Sequence, residues 1–268
     1  MVYSLKKLRS FSKELRKELL IISNKKNASH VGSNLSIIEI LVMLYFNVMK
    51  HNPKNPYYEN RDRFILSKGH ACLSLYIVLA ECGYFKKKFL NNYSDNGSML
   101  MSHISHLVPG VEFSTGSLGH GINFATGKAY FAKKMKKKWH TYVLISDGEL
   151  NEGSTWESLL FSSHHKLNNL TIIIDNNKIQ SLGISKNIIN MKPLLKKFSN
   201  LDLKVITIDG HDYKSLNRAL NLKSKLTKVI IANTVKGKGV KFMENKLLWH
   251  YKSPDTKELN YAIEELSK

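Results

Sequence analysis

Five short apolar runs punctuate the chain: Arg63-Phe64-Ile65-Leu66-Ser67, Tyr142-Val143-Leu144-Ile145, Leu170-Thr171-Ile172-Ile173-Ile174, Val205-Ile206-Thr207-Ile208 and Val229-Ile230-Ile231-Ala232. Tyr142 to Ile145 and Leu170 to Ile174 are short, continuous and β-branched. That is the pattern of strands buried on both faces of a parallel sheet. Helical periods lie between and around them. Leu5, Leu8, Phe11, Leu15, Leu19 and Ile22 form one stripe, with Lys, Arg and Glu on the outer face. Leu35 to Val48 is apolar on most sides and predicts a central helix. A helix follows Ala71 to about Cys82 and is closed by Gly83. Another opens after Gly116 and carries Ala125, Ala129 and Ala132 at one-turn spacing, a face expected to be buried, with a contact between chains as one place for it. Ser154-Thr155-Trp156-Glu157 reads as a capping box opening a helix, with Trp156, Leu159, Leu160, Ser163 and Leu167 inward. Tyr213 to Leu222 and a charged tail segment complete the set. The sum is an α/β fold: a mostly parallel central sheet with helices on both faces, expected as one domain over residues 1–268.

The chemistry concentrates between Ser146 and Ile179. Strand, helix, strand in about thirty residues makes one βαβ unit. Asp147 and Asn177 fall just past the carboxyl ends of its two strands, the edge where open α/β sheets bind ligands. A carboxylate and an amide carbonyl converging there are hard oxygen ligands suited to Mg2+ or Ca2+. Gly148 lets the backbone approach a diphosphate closely. Asp-Gly and Asn-Asn can also be plain turns. Either cluster alone favours that reading, and the pair at this spacing favours the metal.

Lys and Arg total 41 against 21 Asp and Glu, a formal charge of +20. A nucleic-acid or acidic partner would fit that balance. The lysines, however, are scattered through every segment, which an AT-rich genome would also produce. Their densest run, Lys133 to Lys138, ends a helix, and no aromatic-rich RNA-binding signature accompanies it. Cys72 and Cys82 sit ten residues apart on one predicted helix and form no metal or disulfide pattern. That points to a reducing cytosol. The N-terminus lacks a signal core, and the most apolar stretch, Ile37 to Val48, is too short to span a bilayer. A soluble, cytoplasmic protein is expected, with no specific nucleic-acid partner and no membrane. Asn27 to Ser33 reads as a small polar loop, and residues 86–115 as a long aperiodic connection of the functional or mobile kind.

The assembled residues resemble the N-terminal, diphosphate-binding half of transketolase, a thiamine-diphosphate enzyme. Asp147-Gly148 followed by Asn177 is similar to its metal motif. Ser29-His30-Val31-Gly32-Ser33, Leu66-Ser67-Lys68-Gly69-His70-Ala71 and Pro109-Gly110-Val111-Glu112 through Gly116-Ser117-Leu118-Gly119 resemble three further family segments. Asp209-Gly210-His211-Asp212 and Lys236-Gly237-Lys238-Gly239-Val240 are also similar to the family, and all run in family order. The resemblance implies that Asp147, Asn177 and the Ile179 carbonyl hold Mg2+, or Ca2+, on the diphosphate. It implies cofactor contacts for His70, Gly116, Ser117, Leu118, Gly148, Glu149 and Asn177. His30, His70, His103 and His250 would serve the sugar and its protons, with His103 preferred to His106. Glu152 would face a cofactor-activating glutamate of a companion chain. His106, His120, His164, His165 and His211 read as structural or surface groups.

Val31 stands where the family usually has Pro, His120 where it has Gln, and Ser146 where Gly is commonest. No pyrimidine-binding region is recognisable in these residues. The resemblance therefore implies a split enzyme, whose companion is a C-terminal transketolase subunit. Sugar phosphates are the implied substrates and a heterotetramer the implied assembly. A deoxyxylulose-phosphate synthase-like or dihydroxyacetone-synthase-like two-chain enzyme is the near alternative. A non-catalytic basic interaction protein is the distant one.

Overall fold

The computed structural model describes residues 3–268. All five apolar runs are strands: β1 (Arg63–Leu66), β2 (Thr141–Ser146), β3 (Leu170–Asn176), β4 (Leu203–Asp209) and β5 (Thr227–Asn233). They form one sheet in the order β1-β2-β3-β5-β4, and every pairing is parallel. The β2–β3 register sets Ser146 against Asp175. Asp147 and Asn177 therefore leave the same edge of two neighbouring strands, as their spacing predicts.

Alternate strand residues feed two separate cores. Leu144, Ile173 and Ile230 face one of them. It also takes in helices α1 (Leu5–Lys26), α2 (Val31–Leu35), α3 (Ile38–Met43), α4 (Cys72–Cys82), α9 (Tyr213–Asn221) and α10 (Thr256–Ser267). Val143, Ile145, Ile172, Ile174, Val229 and Ile231 face the other, with α5 (His120–Lys134) and α6 (Gly153–His164). Two short helices, α7 (Ser185–Ile188) and α8 (Leu194–Phe198), lie between β3 and β4. Helices thus cover both faces of β1, β2, β3 and β5, which are buried along their length, while the edge strand β4 stays half-buried.

Several local expectations are corrected by tertiary contacts. The apolar stretch from Leu35 is not one helix: α2 ends at Leu35, a turn at Ser36-Ile37 intervenes, and Leu44–Val48 is a π-helical turn. At the turn the Ser36 hydroxyl donates to Asp175 at 2.8 Å and lies 3.0 Å from the Ser33 carbonyl, which shares its one proton. The predicted loop at Val31 is the first turn of α2. Helix α6 starts at Gly153, and Ser154 does not cap it; its Oγ donates to the Gly119 carbonyl at 3.1 Å. The capping box lies earlier, between Ser146 and Glu149, on a 3-10 turn. Leu160 faces outward, 56% exposed, where an inward position was expected. The alanine stripe of α5 is buried within this chain, against the β2 side of the sheet, and not at a contact between chains. Residues 86–115 are packed rather than loose: Leu90, Tyr93, Leu100, Ile104 and Val108 are all buried. Cys72 and Cys82 lie on α4, and burial pushes both thiols up to about 12, as suits packing residues. Among the described residues, no helix is long and apolar enough to cross a membrane.

One close approach positions the loop before α5. A methyl group at Gly121 would meet the Ser67 Cα at 2.6 Å, so only glycine lets α5 sit on the end of β1. Gly121→Ala is expected to cost about 1–3 kcal/mol, the usual range for overpacking. Thermal unfolding against wild type measures it, and an unchanged midpoint would contradict this packing.

Candidate active site

A cleft of about 200 Å³ opens at the carboxyl edge of the sheet. Asp147, Gly148, Asn177 and Ile179 line it, with His30, His70, His103 and His250, Gly116 and Leu118. Its volume is below the roughly 300–1,000 Å³ of pockets that enclose drug-sized ligands. The cleft suits one end of such a molecule.

The oxygen donors come from two adjacent loops. Asp147 starts the 3-10 turn after β2 and is 7% exposed. Its Oδ2 accepts from Ser185 Oγ at 2.6 Å and from the Lys178 backbone N–H at 3.0 Å, both neutral groups. Burial pushes its carboxyl above the usual carboxylate range, and nearby Asp175 adds to the rise. A buried acid held by neutral donors is the setting that a divalent cation completes. Asn177 donates from Nδ2 to Asp175 Oδ2 at 2.9 Å, which fixes the flip of its amide. Its Oδ1, the acceptor end, accepts from the Ile179 N–H at 3.1 Å. The Ile179 carbonyl accepts from Lys236 Nζ at 3.1 Å.

Asp175 is the hub below these groups. It is wholly buried and pairs with wholly buried Lys68 at 2.5 Å. Ser36 and Thr234 hydroxyls also donate to it. Burial alone would push Asp175 up, but Lys68 and the hydroxyl donors outweigh it and hold the carboxyl below its ordinary value. Lys68 also donates to the Ser33 carbonyl at 3.1 Å. The pair thus links the ends of β1, α2 and β3 with the segment after β5.

Four imidazoles form the cleft's wall. His30 lies 5.2 Å from His70, 5.6 Å from His103 and 4.9 Å from His250, between ring centres. His30 sits at φ 65, an uncommon conformation for a residue with a side chain, and its N–H donates to the His250 carbonyl. Burial and neighbouring cations push these rings down: His30 to about 4 and His250 to about 3, with His70 well below 6.5 and His103 lowered. Burial thus favours the neutral form of all four rings. Lys236 Nζ lies 2.9 Å from His250 Nδ1, so an ammonium there makes Nδ1 the acceptor and leaves the ring proton on Nε2. Among the described residues, no three His, Cys, Asp or Glu side chains converge to hold a metal, so the histidines do not form a metal cage.

The other expected site residues lie around the cleft rather than in it. Glu149 is wholly buried beneath it, its oxygens taken by Ser67, Gly119 and Ser146. Ser117 and Glu152 are exposed on its outer side, and Glu152 sits beside Gly119. His106 bonds to Ser114, 2.7 Å away, while His103 lines the cleft, which separates the two. The sequence gives no role to Lys68, Lys236, Ser33 or Asp175, although both lysines fall within family-like segments.

Two measurements test the geometry. Asp147→Asn is expected to weaken metal-dependent thiamine diphosphate binding by more than the roughly 10–100-fold that loss of an outer partner costs. Its melting temperature should stay level or rise, since a buried charge is removed. Unchanged affinity in calorimetric titration would refute the site. For the histidines, a folded pKa below the unfolded 6.5 gives stability that is complete above pH 6.5 and lost as pH falls toward about 4. Proton NMR should show the His30 and His250 rings neutral at pH 6; titration near 6.5 would contradict this electrostatic picture.

The family model for the transketolase, thiamine diphosphate binding domain matches residues 12–262. An apulose-4-phosphate transketolase subunit of Actinobacillus succinogenes is 41% identical over 95% of this chain and 94% of its own. A 6-deoxy-6-sulfo-D-fructose transketolase subunit of a Clostridium species is 36% identical, with 95% and 94% covered. The crystal structure of Campylobacter jejuni transketolase superposes with a TM-score of 0.94 at 32% identity, over 99% of this chain and 43% of that one. The chain thus spans less than half the length of that transketolase. With the match running through every loop that builds the cleft, the chain belongs to the transketolase family, as its thiamine diphosphate binding domain.

Proposed function

We propose that this chain is the cofactor-holding subunit of a two-chain transketolase. It transfers a two-carbon ketol unit from a ketose phosphate to an aldose phosphate, in the cytoplasm, only when joined by a pyrimidine-domain companion. A heterotetramer is the assembly in view. The observation that carries the reading is one cleft holding both an oxygen set for a divalent ion and four imidazoles whose neutral form is favoured. Two relatives that match nearly end to end are named as transketolase subunits, which supports a companion.

The residues divide the work. Asp147, Asn177 Oδ1 and the Ile179 carbonyl would hold Mg2+, or Ca2+, against a diphosphate, whose remaining oxygens complete the ion's shell. Lys236 adds positive charge at the same place. Gly116 and Gly148 let backbone approach, and His70 and Leu118 would pack against the cofactor's body. Thiamine diphosphate, when bound, supplies the nucleophilic carbon and the electron sink. The chain's part is to orient it and to manage sugar protons. A neutral imidazole offers one donor and one acceptor, which matches a sugar hydroxyl that must keep or yield a proton. His30, His103 and His250 line the cleft and would meet such hydroxyls, with His250 presenting Nε2–H as donor. Glu152 is exposed and would meet the companion chain.

The test is ketol transfer by the purified chain with and without its companion. Turnover only in the mixture is expected. In the mixture, His30→Ala should lower kcat/KM by about 100-fold or more, the scale of a lost acid–base contact. Robust turnover by this chain alone would overturn the two-chain reading.

A further inference from the structure

The Asp209-Gly210-His211-Asp212 turn follows β4 and stands outside the cleft. Both nitrogens of its histidine are nonetheless committed. His211 Nε2 accepts from the Val235 backbone N–H at 2.9 Å. A backbone amide can only donate, so that nitrogen carries no proton. His211 Nδ1 lies 3.0 Å from Glu39 Oε2, and a carboxylate only accepts, so Nδ1–H is the donor. Geometry alone sets a neutral ring in one tautomer.

The chain of contacts continues. Glu39, on α3, is bound at 2.7 Å by Arg16 of α1. Both are nearly buried, at 7% and 5% exposure, although the pattern of α1 puts its charges outward. Burial alone pushes the Glu39 carboxyl up, but Arg16 and His211 outweigh it and hold it at about 2, so it stays an anion. Arg16 Nε then donates to the Lys238 carbonyl at 2.9 Å. A methyl group at Gly239, where φ is 96, would meet the Arg16 side chain at 2.9 Å, so the guanidinium needs that glycine to come so close.

The two ends of this network grip the chain on either side of Lys236 and Gly237, at the Val235 N–H and the Lys238 carbonyl. Between them stands Lys236, 1% exposed, with its ammonium in the cleft beside the Ile179 carbonyl and His250. A lysine has a long flexible stem and loses entropy when held. Its backbone must be fixed if the ammonium is to stay on an anionic ligand.

We propose that Arg16, Glu39 and His211 are positioning residues that clamp the 235–238 segment and so place Lys236 for the diphosphate. That Lys236 serves a diphosphate rests on the reading above; the clamp itself does not.

Paired substitutions separate the two contacts of the ring. In His211→Gln the amide oxygen can reach the place of Nε2, keeping the acceptor for Val235. In His211→Asn the amide nitrogen takes the place of Nδ1, keeping the donor to Glu39 and losing Val235. Amide hydrogen exchange over residues 234–240 of the whole chain is the first readout. Exchange at Val235 should quicken about tenfold in the Asn variant, the worth of one buried hydrogen bond, and stay within about threefold in the Gln variant. Magnesium-dependent thiamine diphosphate titration should show the same order, with both variants melting alike. Exchange and affinity that change equally in both variants, tracking their melting temperatures, would overturn the clamp. So would two-bond proton–nitrogen spectra of the wild type showing the proton on Nε2. If exchange separates the variants while the wild type ignores the cofactor, the clamp stands and the cofactor reading falls.

Discussion

The site depends on one buried ion pair. Lys68 and Asp175 are both withdrawn from water at the end of the sheet. Such a pair adds little net stability, because desolvation offsets most of the attraction. Its value here is positional. Each remaining donor and acceptor must find a partner in the interior, and those partners come from four separate residues: Ser33, Ser36, Asn177 and Thr234. Satisfying them brings α2 and the loop after β5 to the edge where Asp147 and Asn177 emerge. The amide flip of Asn177, and with it the direction of its oxygen, follows from the same carboxylate.

Cations and neutral rings then share a small volume without conflict. Lys68 and Lys236 are positive, and burial already disfavours charge on the imidazoles, so His30, His70 and His250 are driven further from protonation. The cleft therefore has a cationic base beneath a wall of imidazoles whose neutral form is favoured. That division suits a substrate whose anchored end is negative and whose reacting end carries hydroxyls. The formal charge of +20 plays no direct part in it, since the lysines that matter are two buried ones.

Rigidity around the cleft comes from unequal sources. β2 and β3, which lead to Asp147 and Asn177, are held by parallel ladders on both sides, whereas Lys236 sits on a segment with no ladder of its own. A buried network reaching from α1 through α3 to the turn after β4 takes over that task. Close glycine contacts do the same for the loop before α5, where Gly121 lies on Ser67.

The central strands were legible because burial on both faces leaves one signature, a continuous apolar run, whereas the edge strand β4 is only half-buried and was legible from its β-branched residues alone. Asp147 and Asn177 were legible for the same reason: strand ends fix which residues meet at an edge. Other features depended on partners distant in sequence. Ser154 fits a local capping rule, yet its hydroxyl goes to Gly119. Arg16 lies among outward charges by period, yet turns inward to Glu39 and Lys238. Lys68, Asp175 and His211 belong to readable motifs, but nothing adjacent in sequence states what they touch. The amino-acid order determined the strands, their shared edge and the oxygen-bearing side chains on it, because those follow from short-range pattern. Only the folded chain decided which charges are buried, which tautomers hold and which lysine faces the cleft, because each is set by desolvation and by donors that meet across the core.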